Sequence, residues 1–352
     1  MNTEQAPSRI PTLDGWRGIA ILLVLFNHVM NACLKNVSSP WLATGHHGVT
    51  LFFVLSGFLI TANLIAGPID LKRFYIRRFF RLMPVAWAYL GVLLLIDFRV
   101  HIVSAGAIFS SLFFYRNFTG TAFGSSTWHF WSLSLEEQFY LAWPPVLLLA
   151  GIRRSRWIAI IAICACALYR WAFWSYYNQD LLNCQTQVRA DALLVGCLMA
   201  LFLHDPVLRS RMMKWSGILV LPAFGVFIFC IWKFIFLPPL IESISIVLML
   251  TASVLHPKSP FAKPLSWRWL SKLGVISYSI YVWQELFMLI ARGQGFLGRS
   301  LTLGVCLPLC VLGSYWYLER PLNRLGHKLS ERLNNKPRAP QPHPALENES
   351  TA

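Results

Sequence analysis

The amino-acid sequence predicts an all-α polytopic membrane protein: a helix bundle of about ten transmembrane helices plus one short interfacial or re-entrant helix. Three observations lead to this fold class. Of the 352 residues, 56% are hydrophobic and only 13% are charged, whereas soluble domains carry about 25% charged residues. Ten apolar segments have lengths near that of a bilayer crossing. Short basic blocks separate these segments in a regular alternation.

The apolar segments follow one another along nearly the whole chain. We place the spans at residues 17–34, 48–66, 82–97, 130–150, 157–175, 189–204, 215–234, 239–255, 273–291 and 299–318. One further stretch, 102–115 with the sequence IVSAGAIFSSLFFY, is apolar but short for a full crossing. A span there would move every later basic block to the opposite side. We therefore interpret it as an interfacial, re-entrant or unusually short helix.

The basic residues indicate the orientation in the membrane. They concentrate in the blocks LKRFYIRRFFR, RRSR, RSRMMK, KSPFAKPLSWRWLSK and ERPLNRLGHKLSERLNNKPR, while the intervening loops are nearly free of Lys and Arg. The positive-inside rule then predicts a multi-pass protein with both termini in the cytoplasm. The net charge of +16 does not indicate a nucleic-acid partner, because the cations are segregated between apolar runs rather than spread along one polar face. The predicted partner is the lipid bilayer.

The chain divides into two parts. Residues 1–334 form the predicted membrane domain, which contains all ten spans. Residues 335–352 are Pro-rich and polar, a composition that predicts a disordered cytoplasmic tail. The cysteines lie mostly inside apolar runs and show no metal-ligand spacing. We therefore predict no metal site.

The first span carries two ionisable residues that a membrane makes costly. In the stretch LDGWRGIAILLVLFNHV, Arg17 stands near the start and His28 near the end. Eleven positions at 100° each return to nearly the same helix face, so the two side chains lie about 16 Å apart along one wall. Positive-inside anchoring explains Arg17 as well, but topology does not explain His28.

A second group of cations precedes the third span. Arg78 and Arg81 are three positions apart and share one helix face, hard against the apolar run. Two guanidinium groups suit the geometry of a phosphate, which predicts a phosphate-bearing cytoplasmic ligand. A topology signal with lipid headgroup contacts is the other interpretation, and we prefer it for Lys72 and Arg73.

The predicted outer half holds histidines and carboxylates. His46 and His47 open the second span, while His129, Glu136 and Glu137 open the fourth within TWHFWSLSLEEQFYLAWPP. Consecutive helix positions point about 100° apart. One glutamate can thus face the protein interior while its neighbour, here Glu137, snorkels. Interfacial structure is the alternative interpretation for the three histidines.

Six ordered motifs also resemble a known family. They are LDGWRGIAILLVLFNH, GVTLFFVLSGFLIT, FYIRRFFRLMP, HFWSLSLEEQFYLAWP, LGVISYSIYVW and ERPLNRL, and together they run from about residue 10 to 325. In content and order they are similar to the acyltransferase type 3 family of bacterial integral membrane proteins. The resemblance therefore covers nearly the whole chain.

The resemblance implies an enzyme of the bacterial cytoplasmic (inner) membrane. Such enzymes move an acyl group, commonly acetyl, from cytoplasmic acyl-CoA to a hydroxyl of an envelope or exported carbohydrate, or of a small molecule. Acyl-CoA is then a donor substrate, and no bound cofactor is expected. By motif match, His28 is the essential histidine, Arg17 its partner, Arg78 and Arg81 the Arg-x-x-Arg pair, and Glu136 the first glutamate after the Trp-Ser-Leu motif.

The chain departs from the family pattern at two positions. Gln284 stands where many members have His, so that position cannot take a proton near neutral pH. Thr50 stands where many members have Asp. Both departures concern the identity of the acceptor more than the reaction.

Acyl transfer from a thioester to an alcohol needs a base and an oxyanion stabiliser. We expect Arg78 and Arg81 to hold the phosphates of CoA, the pantetheine arm to follow the wall from Arg17 to His28, and His28 to act as the base or transient acyl carrier. Glu136 either orients His28 or binds sugar hydroxyls. His47, His129 and Gln284 are candidates for the acceptor side.

Two other functions are compatible with these residues. A transporter or flippase of a lipid-linked or anionic substrate would use intramembrane His and Glu as a proton relay. No repeat symmetry is visible in the sequence, and the phosphate-suited arginines stand on one side only. A catalytically dead homologue that acts as a sensor is the third candidate. Dependence on acyl-CoA separates the enzyme from both.

Overall fold

The structure is a computed structural model, and it describes residues 10–33, 44–100, 103–119, 126–173, 182–232 and 239–334. Helices make up most of these ranges, and no strand occurs within them. The tail predicted at 335–352 lies outside the described residues. The all-α prediction is therefore confirmed for the described chain.

The helices follow one another with short connections. In chain order they are α1 (Pro11–Cys33), α2 (Thr44–Ile65), α3 (Leu71–Val100), α4 (Ala105–Leu112), α5 (Phe130–Phe173), α6 (Thr186–His204), α7 (Pro206–Trp232), α8 (Pro239–Leu255), α9 (Arg268–Ala291), α10 (Phe296–Leu301), α11 (Leu307–Ser314) and α12 (Arg320–Asn334). Two π-helical segments, Thr302–Cys306 and Tyr315–Glu319, join the last three into one continuous rod.

The apolar segments lie in these helices as predicted. Seven described helices are long and apolar enough to cross a membrane, the last being the rod Phe296–Leu333. The remaining three predicted spans are the two halves of α5, which a break at Gly151 (φ 70°) separates, and the shorter α8. The protein is thus a polytopic membrane helix bundle.

The apolar stretch 102–115 contains only a short helix. With 8 residues, α4 is about 12 Å long, too short to cross a hydrocarbon core of about 30 Å. The chain after α4 folds back onto α5, where the Gln138 side-chain amide donates to the Phe114 carbonyl oxygen at 2.8 Å and to Asn117 Oδ1 at 3.0 Å. The prediction of a short helix in this stretch is confirmed, and its interfacial or re-entrant position stays a prediction.

Two basic segments that the sequence places between or after spans are themselves helical. The block LKRFYIRRFFR forms the first turns of α3, and most of the last block forms α12. These helices pack on each other, with Arg77 Nε donating to Ser330 Oγ at 2.8 Å and Gly326 against the Phe80 side chain. Hydropathy misses these helix ends because an amphipathic, charged helix gains its stability from packing.

Close helix packing builds the centre of the bundle. The most extensive contacts join α1 to α9 and to α2, and α6 to α2 and to α5. Two of these approaches require glycine, because a Cβ at Gly274 would overlap the Asp14 carbonyl oxygen of α1, and one at Gly57 the Leu193 carbonyl oxygen of α6. Small residues let membrane helices approach closely. The packing brings polar faces of α1, α5 and α9 together.

Candidate active site

Three helices carry polar stripes along the same path. On α5 and α9 these side chains recur every three or four positions, the spacing of one helix face, and on α1 they are eleven positions apart, which returns to nearly the same face. The stripes consist of Arg17 and His28 on α1; Ser132, Glu136 and Tyr140 at the start of α5, with His129 in the turn just before it; and Ser277, Tyr281 and Glu285 on α9. One end of the path holds the arginines and the other holds His28; we call them the arginine end and the histidine end.

A pocket occupies the arginine end. Its volume is about 600 Å³, including the space at its mouth, and Arg17, Arg78, Arg81 and Glu136 all line it. Ser56, Tyr140 and several apolar and aromatic side chains complete the wall. The structure therefore brings the three arginines singled out from the sequence into one cavity, together with one of the two adjacent glutamates.

The groups inside the pocket are held in place by each other. The Arg78 guanidinium lies over the Tyr140 ring at 4.1 Å from its centroid. Tyr140 Oη donates to Glu136 Oε2 at 3.0 Å, and Ser56 Oγ donates to Glu136 Oε1 at 2.9 Å. Both carboxylate oxygens of Glu136 are thus fixed.

The cations of the pocket differ in their partners. Arg17 pairs with Asp14 at 3.6 Å. Within the described ranges, neither Arg78 nor Arg81 forms an ion pair. Their guanidinium groups repel each other and Arg17 electrostatically. The lining of the cavity carries three cations and one carboxylate, while the Asp14 and Glu319 carboxylates, which attract Arg17 and Arg81, lie outside the lining. A lining with this excess of cations favours a negatively charged ligand.

At the histidine end, His28 pairs with a carboxylate from α9. His28 Nδ1 lies 3.1 Å from Glu285 Oε2, and the exposed fractions of the two side chains are 27% and 6%. An Arg292 nitrogen lies 3.9 Å from the other oxygen, Glu285 Oε1. A carboxylate bound to one ring nitrogen fixes the tautomer and leaves the second nitrogen for chemistry. The arrangement suits a histidine base.

The partner of His28 is therefore not the residue that the sequence suggested. Glu136, one interpretation of which placed it beside His28, binds Ser56 and Tyr140 in the arginine pocket instead. Glu285 escaped the sequence analysis because its pairing depends on how α1 packs against α9. The sequence did offer one signal, a carboxylate inside an apolar span directly after Gln284. The structure shows that this carboxylate is buried.

Tyr281 separates the two ends of the path. Its hydroxyl lies 2.5 Å from Ser132 Oγ and donates to the His129 carbonyl oxygen at 3.2 Å, while its ring packs against Phe52. Tyr281 and Ser132 line the pocket, whereas His28 does not. Tyr281 thus lies within electrostatic range of both Glu136 in the pocket and Glu285, the partner of His28.

The acceptor-side candidates lie in different surroundings. His47 Nδ1 pairs with Glu242 Oε1 of α8 at 2.9 Å, an ion pair that includes neither His28 nor Glu285. His129 lies beside Tyr281 at the histidine end of the α5 stripe. Gln284 is fully buried, and neither of its amide atoms has a hydrogen-bond partner among the described residues. Among all the residues that the structure describes, no group of three or more His, Cys, Asp or Glu side chains is placed to hold a metal ion.

Comparisons with known proteins point to one family. A family model described as an acyltransferase domain matches residues 10–319. YrhL of Bacillus subtilis (strain 168) is 28% identical over 91% of this chain and 56% of its own length. The peptidoglycan O-acetyltransferase OatA of Listeria monocytogenes serovar 1/2a is 28% identical over 80% of this chain and 50% of its own length. The O-acetyltransferase OatA of Staphylococcus aureus (strain NCTC 8325 / PS 47) is 26% identical over 92% of this chain and 58% of its own length.

The chain spans about half the length of these curated relatives. No solved structure matches it significantly. The family match nevertheless extends from before Arg17 to Glu319 and includes every helix that contributes to the pocket and to the His28–Glu285 pair. The chain belongs to the acyltransferase type 3 family.

Proposed function

We propose that the protein is a membrane-embedded O-acyltransferase. It moves an acyl group, acetyl in the first instance, from cytoplasmic acyl-CoA to a hydroxyl of a carbohydrate such as an envelope polysaccharide or exported glycoconjugate. The observation that carries the proposal is the polar path from the three-arginine pocket to the His28–Glu285 pair. The names of the O-acetyltransferase relatives support the acetyl group and the carbohydrate acceptor.

The arginine pocket suits the nucleotide part of the donor. CoA carries several phosphate groups, and Arg78 and Arg81 offer planar guanidinium groups that bind phosphate oxygens in pairs. Arg17 adds a third cation deeper along α1. Glu136 accepts hydrogen bonds only, so it belongs with the N–H and hydroxyl groups of the donor rather than with its phosphates.

The pantetheine arm connects the two ends. Arg17 and His28 are eleven positions apart on α1, which corresponds to about 16 Å along the helix axis. An extended arm that starts at Arg78 and Arg81 passes Tyr281 and presents the thioester near His28. The narrowing at Tyr281 has to widen when the donor binds, because its hydroxyl contacts Ser132 across the path.

The chemistry at His28 is a proton transfer coupled to acyl transfer. The free ring nitrogen of His28 takes the proton of the acceptor hydroxyl while its oxygen attacks the thioester carbon. The C–S bond then breaks, and the CoA thiolate leaves with the proton from His28. Glu285 stabilises the imidazolium that forms between these steps, since it already binds Nδ1. The sequence hypothesis of a transient acyl-histidine remains the alternative order of events.

The proposal fixes the orientation in the inner membrane. Acyl-CoA is cytoplasmic, so the arginine end faces the cytoplasm and the histidine end faces the opposite side. The basic segments of α3 and α12 pack together at the arginine end, in agreement with the positive-inside rule. Both termini are then cytoplasmic.

Purified protein in detergent tests the proposal against a transporter. We expect it to bind acetyl-CoA and to release free CoA, measured by mass spectrometry, with soluble peptidoglycan fragments as the first acceptor probe. A transporter or flippase would leave acetyl-CoA unbound and intact. Absence of both binding and turnover would contradict the enzyme assignment.

A further inference from the structure

His129 is buried at the histidine end with unused hydrogen-bonding capacity. It occupies the turn before α5, and only 4% of its surface is exposed. Neither ring nitrogen makes a hydrogen bond of normal geometry within the described residues, although the Val282 backbone is close enough to favour the protonated ring. An unsatisfied buried polar group is destabilising, so such a group calls for an explanation.

Aromatic side chains hold the ring in one place. The His129 ring packs edge-on against Tyr89 at 5.1 Å between centroids, and it also contacts Phe130 and Tyr281. Packing alone would be served as well by a phenyl ring, which has no polar atoms to bury. The imidazole therefore offers something that the apolar surroundings do not use.

The imidazole of His129 is neutral at physiological pH. Burial lowers its pKa to about 4, and this effect outweighs the attraction of the Glu285 carboxylate. A neutral ring carries one N–H donor and one lone pair. It can donate a hydrogen bond without taking a proton from the acceptor.

His129 lies between the pocket and the reacting histidine. Its carbonyl oxygen accepts from Tyr281 at the end of the pocket, and its ring interacts electrostatically with His28 and Glu285. It lies in the turn before α5, three positions ahead of Ser132, and so extends the stripe Tyr140, Glu136 and Ser132 towards the histidine end. A thioester that has passed Tyr281 reaches this position.

We propose that the His129 N–H donates to the carbonyl oxygen of the thioester and stabilises the oxyanion of the tetrahedral intermediate. When the acceptor oxygen forms its bond to the thioester carbon, the carbonyl π electrons move onto the carbonyl oxygen, and His28 takes the hydroxyl proton, which it later gives to the leaving thiolate. They return as the C–S bond breaks and the thiolate leaves. This inference rests on the proposed function. It assigns His129 a contact with the acyl group, in place of the contact with the acceptor that the sequence analysis predicted.

Replacement of His129 tests the inference. We expect His129→Phe to lower kcat about 100-fold or more, the usual loss for one oxyanion donor, with the Kd for acetyl-CoA unchanged within about twofold. His129→Gln keeps an N–H donor and should retain at least about ten times the kcat of the Phe variant. The exposed His204→Phe is the matched control and should behave as wild type.

Each result decides the inference. A His129→Phe variant with wild-type kcat would overturn it, as would a His129→Gln variant no more active than the Phe variant. If the Phe variant does not fold, the dependence of kcat on pH in His129→Gln decides. A pH profile equal to that of the wild type supports a hydrogen-bond donor at this position. Loss of the fall in kcat at acidic pH would show that His129 titrates as a base and would contradict the inference. Failure of the wild-type protein to consume acetyl-CoA would instead overturn the proposed function.

Discussion

At the scale of single residues, the His28–Glu285 pair distinguishes this chain from a bundle with incidental charges. The two side chains come from different helices, and the Glu285 side chain is only 6% exposed. A buried carboxylate is costly unless it is hydrogen-bonded or paired, and His28 supplies that partner. The pair therefore stabilises the buried carboxylate, and it leaves the second ring nitrogen of His28 for the proposed proton transfer.

Removal of His28 should separate chemistry from binding. We expect His28→Ala to reduce acetyl transfer by more than about 100-fold, because the base that accepts the hydroxyl proton is lost. The arginine pocket lies elsewhere, so the Kd for acetyl-CoA should stay within about twofold of wild type. Turnover assays and titration calorimetry measure the two quantities. Full activity in this variant would show that the base is misassigned.

Replacement of Glu285 should act through His28. We expect Glu285→Gln to lower kcat about tenfold or more while leaving the KM for acetyl-CoA nearly unchanged, because an amide does not stabilise the imidazolium. Gln284→Glu places a carboxylate at the neighbouring position and serves as the control. Combined with Glu285→Gln, it should not restore kcat. Equal kcat in Glu285→Gln and wild type would exclude a role for the pair.

The arginine pair should govern donor affinity. We expect Arg78→Ala with Arg81→Ala to weaken acetyl-CoA binding by at least about tenfold, since two phosphate contacts are lost. Lys72→Ala removes an exposed cation from the same helix outside the pocket and serves as the control. Equal loss in the control would indicate a general effect of charge rather than a phosphate site.

At the scale of helices, the site depends on the close approach of α9 to α1. Gly274 has no room for a Cβ beside the Asp14 carbonyl oxygen, and Asp14 in turn pairs with Arg17. Displacing α9 would move Tyr281 and Glu285 relative to His28 and the pocket. Helix packing at this point therefore sets the geometry of the whole path.

A methyl group at that contact should destabilise the protein. We expect Gly274→Ala to cost about 1–3 kcal/mol, the usual range for overpacking, and to lower the midpoint of thermal unfolding in detergent. At Gly217 of α7, no atom lies within 4 Å of the place that a Cβ would occupy, so Gly217→Ala should be neutral or slightly stabilising. Equal unfolding midpoints for the two variants would contradict the packing argument.

The sequence predicts the helices better than their ends. As far as the structure describes them, the ten apolar segments fall in helices, because continuous hydropathy is a local property. The start of α3 at Leu71 and the presence of α12 were missed, since contacts such as Arg77 with Ser330 join residues far apart in the chain. Glu285 was missed for the same reason. Arg17, Arg78 and Arg81 were singled out because a cation near an apolar run stands out locally.

At the scale of the whole molecule, the account requires two chemically different ends. In the proposed reaction, donor and acceptor approach from opposite sides, and the three polar stripes connect the two sides. The arginine end combines the pocket with the basic segments of α3 and α12. The histidine end presents His28 with 27% of its side chain exposed.

The sidedness is testable with engineered cysteines. In right-side-out vesicles, we expect Gln294→Cys, which follows α9 at the histidine end, to react with a membrane-impermeant maleimide. Lys258→Cys, which follows α8 at the opposite end, should react only after the membrane is permeabilised. The parent protein corrects for labelling of native cysteines. The reverse pattern would invert the topology and place the arginine pocket outside.

A structure with a bound, non-hydrolysable acetyl-CoA analogue tests the central claim most directly. The account predicts phosphate oxygens within hydrogen-bond distance of Arg78 and Arg81, a pantetheine arm that passes a displaced Tyr281, and the acyl group between His129 and His28. An analogue bound outside the arginine pocket, or an acyl group that stays on the arginine side of Tyr281, would contradict it.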